Sequence, residues 1–208
     1  EGADSKPQLA AWHDWLAKRH GDIARLDEKW KSSYPSFDKV PVPDKWDRIN
    51  DPIHYEFILF NQDAFTAWHQ MLADAVHEAA PQVPVHCKAM TWNFFSSGQL
   101  RYGVSAERFA EFSQIHGNDS FNLYNHGRGP WAQSWDMNNR GHDLQRSAKD
   151  CPVFNSENHL IRDGETRPIP PEHIRSTLWL AAMHGQSATT IWVWDRTYDP
   201  HHDFAGSI

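Results

Sequence analysis

The sequence predicts an α/β domain of the (β/α)8 TIM-barrel type, and three observations carry that prediction. Amphipathic helical stretches alternate with short apolar runs of strand type, an order that implies parallel strands joined by crossover helices. Each run ends in a polar or aromatic cluster, and chemistry gathered at the C-terminal ends of successive strands is the layout of a barrel. A doubly wound sheet also binds at strand ends, but at one crevice and typically with a glycine-rich phosphate loop, and the sequence has no such loop.

The elements follow in order. Residues 7–20 read as a helix on Leu9, Trp12 and Leu16, stopped by Gly21. A shorter helix carries Ile23, Leu26 and Trp30, with Asp22 at its start. Residues 34–50 hold Pro35, Pro41 and Pro43 without periodicity, which predicts a long ordered loop of the kind that rims an active site. From His54 to Ala80 runs the strongest helix, its stripe passing from Phe57 and Ile58 through Phe65, Trp68, Met71, Leu72 and Val76 to Ala79. Pro81 and Pro84 end it.

A strand is expected over 85–92 and a loop over 93–102. Ser105 then caps a helix bearing Phe109, Phe112 and Ile115. Gly117-Asn118-Asp119 reads as a turn into a second strand, 121–125, followed by an aromatic, glycine-rich loop over 126–135 and a polar helix to Lys149. The third strand is 151–156. Pro171 opens a helix where its missing N–H is tolerated, with Ile174, Leu178 and Ala181 on one face and Gly185 at its close. The fourth strand is 188–194, rich in β-branched and aromatic residues.

Four strands are visible where a barrel closes with eight, and 208 residues fall short of the usual ~250. The expectation is therefore the C-terminal half of a barrel, one domain over 1–208, with the natural N-terminus upstream of Glu1. A mean hydropathy of −0.72 beside 11 Trp and 11 Phe places the apolar content in large rings, several of them partly exposed, and excludes a disordered chain. A net charge of −7 without any Lys/Arg cluster argues against a nucleic-acid partner. No stretch approaches the roughly 20 apolar residues of a membrane helix. Cys87 and Cys151 make neither a metal spacing nor a disulfide framework and read as buried thiols. The compartment and the oligomeric state stay open, a homo-oligomer included.

The chemistry centres on CPVFNSENHLI, residues 151–161. The apolar pair Val153 and Phe154 breaks into Asn155, Ser156, Glu157, Asn158 and His159. An acid is out of place in a buried strand and in place at the mouth of a pocket. Glycoside hydrolysis needs two carboxylates flanking the bond, about 5–5.5 Å apart in retaining enzymes. Asn and His neighbours hydrogen-bond sugar hydroxyls and tune the acids. Trp rings supply platforms for the sugar's C–H faces. Candidate contacts are Asn158 and His159 beside Glu157, Trp92 and Asn125 after the first two strands, and Trp192 and Trp194 on the last, with Trp131 and Trp135 as further stacking rings.

Plainer roles fit other residues. Glu157 itself could be a solvated glutamate after an edge strand. Asp119, Asp136, Asp143 and Asp195 fall at turns or helix starts, where capping is the expected job, and Asp195 with Arg196 would shape a pocket floor. The histidines show no H-E-x-x-H, and His201, His202 and Asp203 read as a polar tail turn, so no metal and no cofactor are expected. Trp12, Trp15, Trp30, Trp68 and Trp179, on helices, are expected to pack.

FNSENHLI, a proline loop, a helix ending AAMHGQSATT and then IWVWDR resemble the last two strands of clan A glycoside hydrolases, and more closely the β-galactosidase-like enzymes of glycoside hydrolase family 42. WHDWLAKRHGDIARLDEKWKSSYPSFDKVPVP is similar to that family's helix pair after the fourth strand, with His20 and Lys31 departing from its usual aromatic or Gly residues. The resemblance spans most of the chain and rests on the order of the blocks. It implies a retaining hydrolase of β-galactosides or related β-glycosides that needs no cofactor, with a carbohydrate as its partner. It places the nucleophile on Glu157. The family's acid/base is the Glu of an Asn-Glu pair ending the fourth strand, and Glu1, eleven residues before Trp12, stands near that place without its Asn. The alternatives are a non-catalytic carbohydrate-binding or structural module, an inactive half barrel, and a metal-dependent hydrolase built on the histidines.

Overall fold

In the computed structural model, the described residues are 5–43, 50–95, 100–127, 132–161 and 167–192. Glu1, Trp131, Trp194, Asp195, Arg196, His201, His202 and Asp203 lie outside them.

Helices α1 (Lys6–His20) and α2 (Ile23–Trp30) form where the apolar spacing put them, and Gly21 ends the first at a positive φ of 73°. Asp22 proves to be the N-cap of α2, its carboxylate accepting from the Ala24 N–H at 2.8 Å. Both helices pack on the first half of α3 (Pro52–Ala79), where Trp12, Leu16, Leu26, Trp30, Val40, Phe57 and Phe60 make one buried cluster. Trp12 sits at its centre, 5.2 Å from Phe57 and 5.4 Å from Phe60 between ring centroids, and donates its indole N–H to the Pro41 carbonyl. A buried carboxylate, Glu56, ties the three helices together through His20 at 2.7 Å, Arg19 at 3.3 Å and Lys29 at 3.4 Å. The expected loop follows α2 and winds into a 3-10 turn at Phe37–Lys39; its residues 44–49 are outside the described set.

The second half of α3 departs from expectation. Trp68 is 52% exposed, and Met71, Leu72 and Val76 are exposed too. Trp179 is 68% exposed on its own helix. A helical stripe predicts which face can be buried, and burial then needs an element to cover it. Only Phe65 and Ala73 on this half join the second core cluster, with Ala89, Val104, Phe109 and Phe112.

Four strands form one parallel sheet: β1 (Lys88–Met90), β2 (His116–Phe121), β5 (Val153–His159) and β6 (Gln186–Trp192), adjacent in that order. Helices α4 (Ala106–Phe112), α5 (Trp135–Ala148) and α6 (Pro171–Met183) lie between successive strands, which makes this an α/β fold of the barrel type. Ser105 caps α4, accepting from the Arg108 N–H at 3.4 Å. Between β2 and α5 the chain adds a short antiparallel hairpin, β3 (Leu123–Tyr124) with β4 (Ala132–Gln133), which the sequence did not suggest.

Two strand predictions need correction. The first strand is shorter than 85–92 because Thr91–Phe94 winds into a 3-10 turn. The second begins at His116, so Gly117-Asn118-Asp119 is strand interior and Asp119 caps nothing. This strand is polar and nearly all buried, so it has no apolar alternation to detect. Its polar groups are instead bonded: Asn118 Nδ2 donates to Gln145 Oε1 at 2.9 Å, Gln145 Nε2 to the Gly117 carbonyl at 3.0 Å, and Asn155 Nδ2 to Ser120 Oγ at 2.7 Å. Gly117 is required by close approach of β1, since a Cβ there would lie 2.5 Å from the Cys87 carbonyl oxygen.

Both cysteines are free and half-buried rather than fully buried. Burial pushes the Cys87 thiol up to about 11, which keeps it protonated and unreactive. Among the described residues no helix is long and apolar enough to cross a membrane.

Candidate active site

Strand alternation sorts the sheet into two faces. Asn118 and Asn155 bond on the helix-covered side, to Gln145 and Ser120. Lys88, Asp119, Glu157 and His159 meet on the other side. Glu157 reaches that side because of a bulge. Asn118 pairs with Asn155, but its successor Asp119 pairs with Glu157, so Ser156 is an extra residue that shifts the count by one. Beyond it Ser120 pairs with Asn158 and Phe121 with His159.

The result is two rows toward the C-terminal ends of β2 and β5. The lower row is charged, Asp119 beside Glu157, with the Lys88 side chain reaching both from the start of β1. The upper row is aromatic: Trp92 with Phe121, ring centroids 5.0 Å apart, and His159 with Trp192, 5.9 Å apart.

Glu157 is held at both oxygens. Lys88 Nζ donates to Oε2, and His159 Nε2 lies 3.1 Å from Oε1. Its backbone N–H donates to Asn155 Oδ1 at 3.3 Å, which anchors the chain across the bulge. The side chain is 22% exposed, enough to meet a ligand. Burial pushes its carboxyl up, but the hydrogen bonds from Lys88 and His159 outweigh this and hold it below the ordinary glutamate value. Lys88 is raised in turn, chiefly by its hydrogen bond to Glu157. Asp119 behaves in the opposite way: it is 4% exposed, and burial first, then the neighbouring Glu157 charge, lift its carboxyl above the usual range.

Of the residues the sequence singled out, Glu157, His159 and Trp192 come together, and Trp92 joins them across Phe121. Asn125 is half-buried just past β3. Asn158 does not meet the expectation of substrate contact. It lies between Glu157 and His159 in an extended strand, so it points to the opposite face, where it is fully buried. Trp135 opens α5 and is exposed. Asp119 was missed. The expected strand at 121–125 starts five residues late; starting at His116, register sets Asp119 beside Glu157.

Donor atoms of Asp119, Glu157 and His159 lie within 4.8 Å of one another, a span a divalent cation could bridge. The Lys88 ammonium already supplies the positive charge there, hydrogen-bonded to Glu157 and 3.8 Å from Asp119, and an ion would have to displace it. We read the group as an ion-pair cluster.

The chain as a whole has counterparts among known proteins. The sequence profile of glycoside hydrolase family 42, described as Beta-galactosidase, matches residues 5–208. The chain belongs to glycoside hydrolase family 42. Among its relatives, Beta-galactosidase Bga of Halorubrum lacusprofundi is 24% identical over 95% of this family 42 chain and 30% of its own length. The crystal structure of an exo-carrageenase of the family from Bacteroides ovatus superposes with a TM-score of 0.78 at 28% identity, over 98% of this chain and 29% of that one. A β-galactosidase from Rahnella sp. R3 shares the fold, with a TM-score of 0.72 at 18% identity, over 98% and 30%. The chain thus spans about 30% of the length of these relatives.

Proposed function

We propose that the protein is a retaining glycoside hydrolase acting on β-galactosides or related β-glycosides, with Glu157 as its nucleophile. The observation that carries the reading is an accessible carboxylate at the C-terminal end of a parallel strand, held ionised by two donors beneath an aromatic rim. The substrate class comes from the names of the relatives, β-galactosidase and exo-carrageenase.

In the first step a Glu157 oxygen attacks the anomeric carbon and the glycosidic C–O bond breaks. The leaving oxygen takes its proton from the acid/base, which is Glu1 or a carboxylate upstream of it. In the second step that group removes a proton from water, water attacks the same carbon, and the ester to Glu157 is released. The reaction is a double displacement and needs no cofactor.

The test is covalent trapping. An activated 2-deoxy-2-fluoro-β-galactoside, incubated with the protein at its full length, is expected to leave one fluorosugar on the peptide containing Glu157, read by mass spectrometry. Labelling at another carboxylate overturns the assignment. Binding of galactosides without release of an aryl leaving group identifies a non-catalytic carbohydrate-binding module instead.

A pH dependence follows. Glu157 is depressed in the folded protein, so its ionised form, and the activity that needs it, is present above that lowered value and lost as the pH falls through it. Lys88→Met removes the stronger of the two donors, and the acid limb of kcat/KM is expected to move to higher pH. An unmoved limb would show that another group sets it.

A further inference from the structure

Lys88 stands between two carboxylates and uses only one of them fully. Its ammonium donates a hydrogen bond to Glu157 Oε2 but stays 3.8 Å from Asp119 Oδ2, inside ion-pair range and beyond a hydrogen bond. Asp119 is buried on the adjacent strand, in register with Glu157, and Lys88 is its one ion-pair partner among the described residues. The Lys88 side chain is 43% exposed and reaches both carboxylates from β1. The titratable groups facing Glu157 are Lys88 from β1, Asp119 from β2 and His159 from its own strand; β6 carries none between Gln186 and Trp192.

We propose that Asp119 is a positioning residue that takes over the Lys88 ammonium when Glu157 loses its charge to the sugar. The inference rests on Glu157 being the nucleophile. As the Glu157 oxygen bonds to the anomeric carbon and the aglycone departs with a proton from the acid/base, the carboxylate becomes a neutral ester. The ammonium then has no anion at Glu157. A closing movement of about 1 Å brings it to hydrogen-bond distance from Asp119. When water cleaves the ester, the Glu157 carboxylate is restored and the ammonium returns. Asp119 thereby lowers the cost of discharging Glu157, so its effect falls on formation of the glycosyl-enzyme.

The experiment is a double-mutant cycle in the full-length protein, with Glu157→Gln as control. Asp119→Asn is expected to lower kcat/KM for an aryl β-galactoside about tenfold, the scale of one hydrogen bond between charged groups. The kcat for a dinitrophenyl galactoside, limited by ester hydrolysis, should hold or rise. In a Lys88→Met background the same substitution should change kcat/KM little, because there is no cation to receive. Equal losses in both backgrounds, or parallel falls of kcat and kcat/KM, overturn the proposal. If Glu157→Gln keeps its activity, the nucleophile assignment fails first, and the two failures are told apart. Should Asp119→Asn not fold, carbon-13 NMR of the unsubstituted protein decides. On trapping Glu157 with the fluorosugar, the Asp119 carboxyl should titrate at lower pH than before, and an unchanged titration overturns the proposal.

Discussion

Glu157→Gln is expected to lower kcat on aryl β-galactosides by about 10⁴-fold or more, the range for loss of a covalent nucleophile and close to 5.4 kcal/mol of barrier. The amide keeps the shape of the side chain, and its one oxygen can still accept from Lys88 while its NH2 faces the His159 ring, so the sheet has no reason to change. What it lacks is the negative charge that forms the ester. Galactoside binding is expected to persist, because the rim of Trp92, Phe121, His159 and Trp192 is untouched by the substitution. The informative result is therefore the split: galactoside affinity retained by calorimetry, turnover lost. In Glu157→Gly, which vacates the nucleophile's side of the sugar, added azide should restore turnover of an activated aryl galactoside and give the inverted α-azide. Activity of Glu157→Gln near that of the unsubstituted protein would sink the assignment.

The second large effect is on stability. Trp12→Ala should cost about 3–5 kcal/mol, the range for truncating a large buried aromatic. Trp12 is fully buried, its ring is packed against Phe57, Phe60 and Trp15, and its N–H is the partner of the Pro41 carbonyl. The substitution opens a cavity where α1, α3 and the loop after α2 meet, and removes the hydrogen bond that pins that loop. Urea unfolding followed by far-UV circular dichroism reads the shift. A loss below about 1 kcal/mol would mean that the three elements collapse around the gap.

How much of this was visible in the residues depends on what each element is made of. The helices were legible because their apolar spacing is repeated over several turns, as in Trp12 and Leu16 or Phe57, Ile58 and Phe65. The third and fourth parallel strands were legible because Val153, Phe154 and Ile191 announce them. The second was misplaced because HGNDSF is held by side-chain hydrogen bonds to α5 and β5, and no local pattern reports a partner that is 27 or 35 residues away. With it went Asp119, which the sequence reading assigned to a turn and a capping role. Exposure of Trp68 and Trp179 was unreadable for a related reason, since amphipathicity describes a helix and burial describes its neighbours. Glu157 stood out because it broke the pattern of its own strand. Membership of family 42 then gave that anomaly a context over residues 5–208.

The bulge at Ser156 divides β5 into two stretches with separate obligations. Val153, Asn155, Glu157 and His159 are all odd-numbered, yet the first two serve the interior and the last two serve the cleft. Below the break, a substitution is judged by how it fits the helices. Above it, the judge is whatever occupies the cleft. Such a phase change lets the strand end vary its chemistry while the register that holds the sheet stays fixed, so new specificities can be explored at Glu157's neighbours without renegotiating the core.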